Sequence, residues 1–394
     1  MRAEGRSTPR GAALDSPEPS RRRRCQRLRP ARHAALATLT LSLSGLFASA
    51  AGALPIGCTK SGGAVQCPQV SYQFKTLDNQ TDPTFNQLLG INQGGVIAGY
   101  FGSGAAGKPN KGYLSFPPYF QNYYADNNFP GSAQTQVTGL NNAGVLVGFS
   151  APTNNAGNPP VNENDGWYKL HGKFFQANFP TNPHAPATHA PASPPVDQLL
   201  GVNDKNVAVG FFTDSDNDNH GYTYDIPANT FSEVTVPSFS NITAAAINDA
   251  GDIAGFGTIG GDTEGFLLAK GKPTEIKYPG SSMTQPLGLN NNDEVVGVYT
   301  VTSGNNTAMH GFTWYPRFGF HKVDAPGGAG TTTINGVNEC GDIVGFFVDG
   351  TNNTHGLLGN AQFSPFVSPV HKARDVSASA AKAKRIKTKL PAGC

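Results

Sequence analysis

Three aspartates at alternate positions are the residues of this sequence that most resemble a metal site. Asp214, Asp216 and Asp218 place a carboxylate at every second residue, in the manner of calcium-binding loops. The glycine expected at the sixth position of such a loop and the glutamate expected at the twelfth are both absent. We therefore predict a solvated acidic turn, with a weak calcium site as the alternative and no other cofactor.

A second group of candidates stands five residues before each copy of a recurring asparagine. Four members of the group are glutamines, namely Gln87, Gln136, Gln198 and Gln285. If the strands that carry them surround a channel, their amides offer neutral hydrogen bonds to a sugar or a peptide. The competing interpretation is that they fill the channel together with water.

A third group precedes a recurring glycine and includes three histidines. Its members are Lys111, Asp165, His220, Glu264, His310 and His355. On the third strand of each unit they would stand more than ~10 Å apart, because each step between strands is ~4.8 Å. Zinc needs ligands at ~2 Å, so we predict structural hydrogen bonds rather than a metal centre.

The organisation behind these candidates is a repeat that occurs six times. Each copy has an asparagine followed seven residues later by a glycine, and the copies start 49, 62, 45, 42 and 48 residues apart. The segments are GINQGGVIAGY (90–100), GLNNAGVLVGF (139–149), GVNDKNVAVGF (201–211), AINDAGDIAGF (246–256), GLNNNDEVVGV (288–298) and GVNECGDIVGF (336–346). This spacing is typical of one four-stranded blade.

Turn chemistry explains the most regular positions of the repeat. The asparagine can open a type I turn by accepting a hydrogen bond from the backbone two residues on. The Gly, Asn or Asp three residues later suits the left-handed conformation that closes such a hairpin. The flanking strands are apolar on both faces, which predicts packing on both faces. The glycine at the seventh position predicts close approach of backbone from an adjacent unit.

The expected architecture is an all-β, six-bladed β-propeller over residues 72–370, built from six repeats of about 45–60 residues. The segment Tyr72–Asp78 resembles an outer strand that would complete the sixth blade and close the ring. Alternatively, Gln362–Ser368 supplies that strand. A linear solenoid or a two-domain array is the competing architecture.

The hairpins followed by His-Gly-Phe resemble the bacterial extracellular HAF-repeat family, which is named for a His-Ala-Phe motif. Three copies carry the histidine (His220, His310 and His355), and all six have glycine where the family name has alanine. The resemblance covers about residues 72–360. It implies secretion and a propeller-like array, and it implies no particular reaction.

The flanking segments predict export. Residues 1–53 combine an Arg-rich stretch, an apolar run at 34–47 and small-residue cleavage patterns, which together read as a signal segment. The apolar run is shorter than the ~20 residues of a membrane span, so an anchor is the weaker interpretation. In the linker 54–71, Cys58 and Cys67 are expected to form a disulfide, with lipid attachment at Cys58 as the alternative.

Charge is distributed unevenly along the chain. The overall charge is +2, yet residues 54–371 hold 12 basic and 23 acidic residues. The body is therefore acidic, which argues against nucleic-acid binding. Residues 371–394 form a basic tail of disordered composition, and the Pro-rich insertion at 180–195 reads as an extended loop or spacer.

The sequence leaves the biochemical activity open. It contains no G-x-S-x-G, H-E-x-x-H or P-loop motif and no paired-cysteine zinc spacing. The expected function is a secreted or periplasmic, monomeric binding or scaffolding module for a cell-surface glycan or protein, with no transmembrane segment after export. The alternative is a polysaccharide lyase or hydrolase with its site at one mouth of the propeller.

Overall fold

The computed structural model describes residues 59–61, 64–66, 70–105, 107–120, 123–152, 163–180 and 192–363. Across these ranges every regular element is a β-strand, and no helix among them is long and apolar enough to cross a membrane. The expected signal segment, Cys58, Cys67, most of the Pro-rich insertion and the basic tail lie outside the described residues.

The described chain begins with a short hairpin and a single strand. The hairpin consists of β1 (Thr59–Ser61) and β2 (Ala64–Gln66), which pair in antiparallel fashion. The single strand β3 (Val70–Thr76) pairs with the last of the described strands, as shown below. Cys58 and Cys67 directly flank the β1–β2 hairpin in the sequence, and their disulfide stays a prediction.

Six antiparallel, four-stranded sheets make up the body, and each contains one copy of the repeat. The first sheet has β4 (Asn86–Ile91), β5 (Ile97–Phe101), β6 (Lys111–Ser115) and β7 (Tyr124–Asp126). The second has β8 (Gln134–Leu140), β9 (Leu146–Ala151), β10 (Asp165–Leu170) and β11 (Lys173–Gln176). The third has β12 (Asp197–Val202), β13 (Val207–Thr213), β14 (Asn219–Asp225) and β15 (Thr230–Glu233).

The remaining sheets follow the same order of strands. The fourth has β16 (Ser240–Ile247), β17 (Ile253–Ile259), β18 (Asp262–Ala269) and β19 (Lys272–Ile276). The fifth has β20 (Met283–Leu289), β21 (Val295–Ser303), β22 (Asn306–Tyr315) and β23 (Gly319–Val323). The sixth has β24 (Thr333–Val337), β25 (Ile343–Val348), β26 (Thr354–Phe363) and the early strand β3. One parallel residue pair, Thr263 with Met283, links the fourth and fifth sheets.

The outer strand of the sixth sheet comes from the other end of the chain. Strand β3 pairs with β26 from Val70 opposite Phe363 to Thr76 opposite Leu357. This pairing confirms that the N-terminal strand is the outer strand of the sixth sheet, although it begins and ends two residues earlier than the sequence indicated. The alternative strand at 362–368 is wrong, because Gln362 and Phe363 prolong β26 itself.

The hairpin turns have the predicted chemistry. In the second sheet, Asn141 Oδ1 accepts hydrogen bonds from the backbone N–H groups of Ala143 (3.1 Å) and Val145 (2.9 Å). The other five asparagines of the motif make the same pair of contacts. The residue three positions later has a positive φ in all six turns, from 59° at Asp293 to 87° at Gly251. The local sequence is therefore sufficient to form each turn.

The glycine at the seventh position of the motif contacts its own sheet and not an adjacent unit. A Cβ on Gly210 would overlap the carbonyl oxygen of Gln198, which lies on the neighbouring strand of the same sheet. The five equivalent glycines face the same carbonyl of their own sheets. The predicted contact with an adjacent unit is therefore wrong. The cause is a bulge between Leu199 and Gly201, which pushes the inner strand towards its partner.

Close approach between neighbouring sheets occurs instead at the first residue of the motif. A Cβ on Gly139 would stand 3.1 Å from the Cα of Gly201 in the next sheet. A Cβ on Gly336 in the sixth sheet would likewise stand 3.2 Å from the Cα of Gly90 in the first. In the fourth sheet this position is Ala246. Small residues here let the inner strands come together.

The apolar core consists of six clusters, each lying between two successive sheets. One of them joins Leu88 and Ile97 of the first sheet to Val344 and Leu358 of the sixth. Strands packed on both sides bury both faces. This packing confirms the interpretation of the doubly apolar strands of the motif.

Candidate ligand-binding mouth formed by the six hairpin turns

The six hairpin turns that join the first two strands of each sheet surround one common cavity, which we call the turn mouth. It has a volume of about 80 Å³ and is open to solvent. Each turn contributes three consecutive residues to its wall. These are 91–93, 140–142, 202–204, 247–249, 289–291 and 337–339.

A cycle of hydrogen bonds runs around the turn mouth. In each turn, the backbone N–H of the residue after the motif asparagine donates to the side-chain oxygen of its counterpart in the next sheet. The donor–acceptor pairs are Gln93–Asn142 (2.8 Å), Asn142–Asp204 (2.8 Å), Asp204–Asp249 (2.9 Å), Asp249–Asn291 (2.7 Å), Asn291–Glu339 (2.9 Å) and Glu339–Gln93 (2.9 Å). We call these six residues the turn ring; the sixth bond returns to the first sheet.

The turn ring was not apparent from the sequence, because its residue types differ from copy to copy. All six nevertheless have a carbonyl or carboxylate oxygen at the end of a short side chain, which is the only requirement for accepting the bond. No single residue type recurs in all six copies. Comparing the copies for a side chain with an acceptor oxygen at this position could have revealed the turn ring.

The motif asparagines link neighbouring sheets as well as closing their own turns. Asn141 Nδ2 donates to the carbonyl of Asn203 at 2.9 Å, and Asn203 Nδ2 donates to that of Asn248 at 2.9 Å. Asn92 and Asn290 make the same contact with the next sheet. In these four copies one side chain serves both a turn and a contact between sheets, whereas Nδ2 of Asn248 and of Asn338 donates to Asp252 (3.3 Å) and Asp342 (3.4 Å) in its own turn. The turn contacts, which all six asparagines make, therefore account for the asparagine in every copy.

The turn mouth is acidic. Asp204, Asp249 and Glu339 are carboxylates of the turn ring, and no Lys, Arg or His is among the residues that line the cavity. The second oxygens of Asp204 and Asp249 accept further hydrogen bonds, from Asn142 Nδ2 at 2.7 Å and Asn291 Nδ2 at 2.8 Å. A cavity with this lining attracts positive charge and repels anions.

A buried carboxyl group belongs to the fifth turn, next to the mouth. Glu294 Oε2 accepts a hydrogen bond from Asn290 Nδ2 at 3.1 Å, and its side chain is almost fully buried. Burial raises the pKa of Glu294 to about 7, and the nearby Glu339 carboxylate acts in the same direction. The acidic residues at this end of the sheets therefore also raise the pKa of a buried carboxyl group.

None of the four predicted glutamines is among the residues that line the turn mouth. Gln87 Oε1 accepts a hydrogen bond from Tyr100 O–H at 2.8 Å within the first sheet. Gln136 Nε2 donates to Asn110 Oδ1 at 3.0 Å, and Gln136 borders a smaller cavity of about 30 Å³. Gln198 and Gln285 are half-buried on β12 and β20. A ligand-binding role for the four remains a prediction.

The three aspartates of the acidic loop are not brought together around one point. Asp214 Oδ1 accepts hydrogen bonds from the backbone N–H groups of Asp216 (2.9 Å) and Asp218 (2.8 Å), and Asp214 Oδ2 contacts His220 Nε2. The side chains of Asp216 and Asp218 are exposed. Within the described part of the chain, no group of three or more His, Cys, Asp or Glu side chains could hold a metal. Calcium binding at this loop therefore remains an untested prediction.

The third predicted group, which lies at or near the start of the third strand of each sheet, forms hydrogen bonds within the protein. Three of its members contact a residue that follows the outer strand of the same sheet. His310 Nδ1 lies 2.9 Å from Asp324, Asp165 accepts from Asn178, and Glu264 pairs with Lys277. His220 and His355 also contact carboxylates. Lys111 Nζ donates to the carbonyl of Ala133 at 2.9 Å. The predicted structural hydrogen bonds of this group are confirmed by these contacts.

Comparison with known proteins yields only distant structural similarity. No protein-family model and no curated protein matches the chain. TolB from Acinetobacter baumannii is similar with a TM-score of 0.41 and 12% identity, over 68% of this chain and 65% of TolB. AofleA from Arthrobotrys oligospora (TM-score 0.39, 11% identity) is matched over 78% of this chain and 88% of its own. A PL25 ulvan lyase (0.39, 10%) is matched over 70% and 78%.

The chain thus spans less than two thirds of the length of TolB. Similarities this low transfer neither a ligand nor a reaction to this chain.

Proposed function

We propose that the chain is a closed six-bladed β-propeller that acts as a binding module, with the turn mouth as its ligand site. The six sheets are the blades. Closure is supported by the cycle of six hydrogen bonds in the turn ring and by the apolar cluster between the sixth and first sheets. Strand β3 joins the N-terminal and C-terminal segments in one blade and gives β26 a partner on its outer side.

The lining of the turn mouth favours a polar ligand that is neutral or positively charged. Three carboxylates and three amides of the turn ring surround the opening, without a basic side chain to attract an anion. A carboxylate can accept about four hydrogen bonds, so each acid retains capacity for ligand hydroxyl or ammonium groups. A cell-surface glycan rich in hydroxyl or amino groups fits this chemistry better than a uronic acid or sulfated polymer.

The binding prediction can be tested with charge-neutral variants of the turn ring. Asp204→Asn combined with Asp249→Asn keeps the oxygen that accepts the turn-ring bond at each position, as Asn142 and Asn291 already provide, and loses the bonds from Asn142 Nδ2 and Asn291 Nδ2. We expect binding of neutral or amino-sugar glycans on an array to fall roughly tenfold or more, since each lost charge-assisted bond contributes ~1.5–3 kcal/mol. The melting temperature should change by only a few degrees.

The control for this experiment is Asp216→Asn, which removes an exposed carboxylate that is not part of the cavity lining. It should leave glycan binding unchanged. Equal affinity of the double variant and the parent chain would contradict the proposed site. Release of sugar fragments from a polysaccharide by the same preparation would instead support the alternative lyase or hydrolase.

We further propose that the module is exported, as the resemblance to HAF repeats implies, and works as a monomer outside the cell or in the periplasm. We expect the exported chain to begin after residue 50 or 53, and Cys58 and Cys67 to resist alkylation until a reductant is added. N-terminal sequencing and mass spectrometry of protein recovered from the export compartment measure both. A lipid-modified Cys58 or two freely alkylated thiols would contradict the disulfide.

A further inference from the structure

His355 lies where the two ends of the described chain meet. It is on β26, and its Nδ1 stands 2.8 Å from Oδ2 of Asp78, which follows β3. Its Nε2 stands 3.1 Å from Oδ2 of Asp349, in the turn before β26. Asp78 Oδ1 also accepts the backbone N–H of Gly356 at 3.0 Å. The imidazole thus bridges the N-terminal segment to the C-terminal strand.

Hydrogen bonds from one imidazole to two ionised carboxylates need two protons on its ring. A neutral histidine has one N–H group, so it can donate to only one of two carboxylates. The imidazolium donates to both and balances part of their charge. Burial lowers the pKa of His355, but its hydrogen bonds to Asp78 and Asp349 outweigh this effect and raise the pKa above the ordinary value.

The other groups around His355 do not supply a competing positive charge. Tyr124 O–H donates to the backbone carbonyl of Asp78 at 2.7 Å, and the Phe347 ring lies 5.3 Å from the imidazole. Among the residues that the structure describes, no lysine or arginine forms an ion pair with Asp78 or Asp349. The positive charge at this junction therefore depends on protonation of His355.

We propose that His355 is a proton-operated clasp that holds the N-terminal strand β3 in the sixth sheet, so that closure of the fold loosens as the pH rises. The clasp is independent of any ligand at the turn mouth. Strand β3 has β26 as its one partner in the sheet order, so its release would open the junction between the two ends of the chain.

Two other histidines provide internal comparisons. His220 also contacts two carboxylates, Asp214 at 2.9 Å and Glu233 at 3.3 Å, but all three residues belong to the third sheet. His310 contacts one carboxylate, that of Asp324, 14 positions away. Loss of either contact would loosen a local hairpin, whereas loss of the His355 contacts separates segments that are 277 residues apart.

The direction of the pH effect follows from the raised pKa. The stabilisation by His355 is fully present below the pKa of unfolded histidine, ~6.5, and is lost as the pH rises through the higher pKa of the folded state. Between these two values, the equilibrium constant for opening the clasp increases up to about tenfold for each pH unit.

Hydrogen exchange followed by mass spectrometry provides the test on the full mature chain. After correction for the intrinsic exchange rate, protection of residues 70–76 should fall several-fold between pH 6 and pH 8.5, while that of β19 in the fourth sheet changes less. His355→Gln should remove this pH dependence, and His220→Gln should leave it intact. Equal protection of β3 at both pH values in the parent chain would overturn the proposal.

A second variant tests the clasp without removing the imidazole. Asp349→Asn keeps the oxygen that caps the turn at Thr351 and Asn353, and its new amide can donate to Nε2 of a neutral His355. We expect β3 to stay protected at pH 8.5 in this variant. Nitrogen chemical shifts should show a doubly protonated His355 at pH 7 in the parent chain only. If the variant keeps the pH dependence of the parent, the proposal is wrong.

Discussion

Replacement of Gly210 by alanine is expected to destabilise the protein by about 3 kcal/mol or more. The added methyl group would overlap the carbonyl oxygen of Gln198 on the partner strand. Neither backbone can move away easily, because Leu199 pairs with Gly210 and Gly201 pairs with Val209 on either side of the bulge. The midpoint of urea-induced unfolding measures the loss.

Gly350 is the matched control for this substitution. An added Cβ there meets no atom within 4 Å, and its φ lies outside the left-handed region. Gly350→Ala should therefore change stability by no more than about 0.5 kcal/mol. Similar losses at both positions would mean that the carbonyl contact is not the reason for glycine at the seventh position of the motif.

The features predicted correctly from the sequence depend on residues that are close together in the chain. The Asn141 turn needs only the N–H groups two and four residues later, so six similar segments predict six similar hairpins. The N-terminal strand was predictable for a different reason. Each complete unit ends in an outer strand, and YQFKT (72–76) precedes the first unit with no other strand to pair with.

The features that were missed depend on residues in different sheets or on a one-residue irregularity. The turn ring needs an acceptor oxygen facing the N–H of the preceding sheet, and Gln93, Asp204 and Glu339 satisfy that need with different residue types. The partner of Gly210 was assigned to the wrong strand because the sequence does not reveal the bulge at Leu200. A bulge of one residue also shifts the alternation of faces, so counting back five residues to Gln198 does not identify the wall of the turn mouth.

The second large effect concerns Asp197, a carboxyl group buried between the second and third sheets. Its Oδ1 accepts a hydrogen bond from Tyr222 O–H at 2.5 Å, and its Oδ2 accepts the backbone N–H of Phe179 at 2.6 Å. Burial raises the pKa of Asp197 to about 7, even though these hydrogen bonds favour the charged form. The fold therefore holds a carboxyl group that it accommodates best when neutral.

The first sheet places an amide in the equivalent environment. Asn86 Oδ1 accepts the backbone N–H of Asn79 at 2.9 Å and lies 3.5 Å from Tyr113 O–H. Both Asn86 and Tyr113 are fully buried, as Tyr222 is. The Asn86 amide also donates to the carbonyl of Asp82 at 2.9 Å. In Asp197→Asn the Oδ1 can still accept the N–H of Phe179, and the amide would donate to the hydroxyl oxygen of Tyr222 in place of Asp82.

The pH dependence of stability follows from the pKa of Asp197 in the two states. Below ~3.9, the pKa of an unfolded aspartate, Asp197 is protonated in both states, so its ionisation does not change the free energy of unfolding. Between ~3.9 and about 7 the unfolded chain loses the proton while the folded chain retains it, so folding becomes less favourable as the pH rises. Three pKa units correspond to roughly 4 kcal/mol, and this penalty is constant above pH 7.

Asp197→Asn should therefore make the protein more stable than the parent chain at pH 8 by a few kcal/mol, and leave it near the parent stability at pH 4. Unfolding midpoints in urea at both pH values measure the difference, with Asp216→Asn as an exposed control that should follow the parent at each pH. A variant with the same pH profile as the parent would mean that Asp197 is ionised in the fold. The hydrogen bonds from Tyr222 and Phe179 would then be strong enough to compensate for its burial, and the acid would be a stabilising replacement for the asparagine of the first sheet.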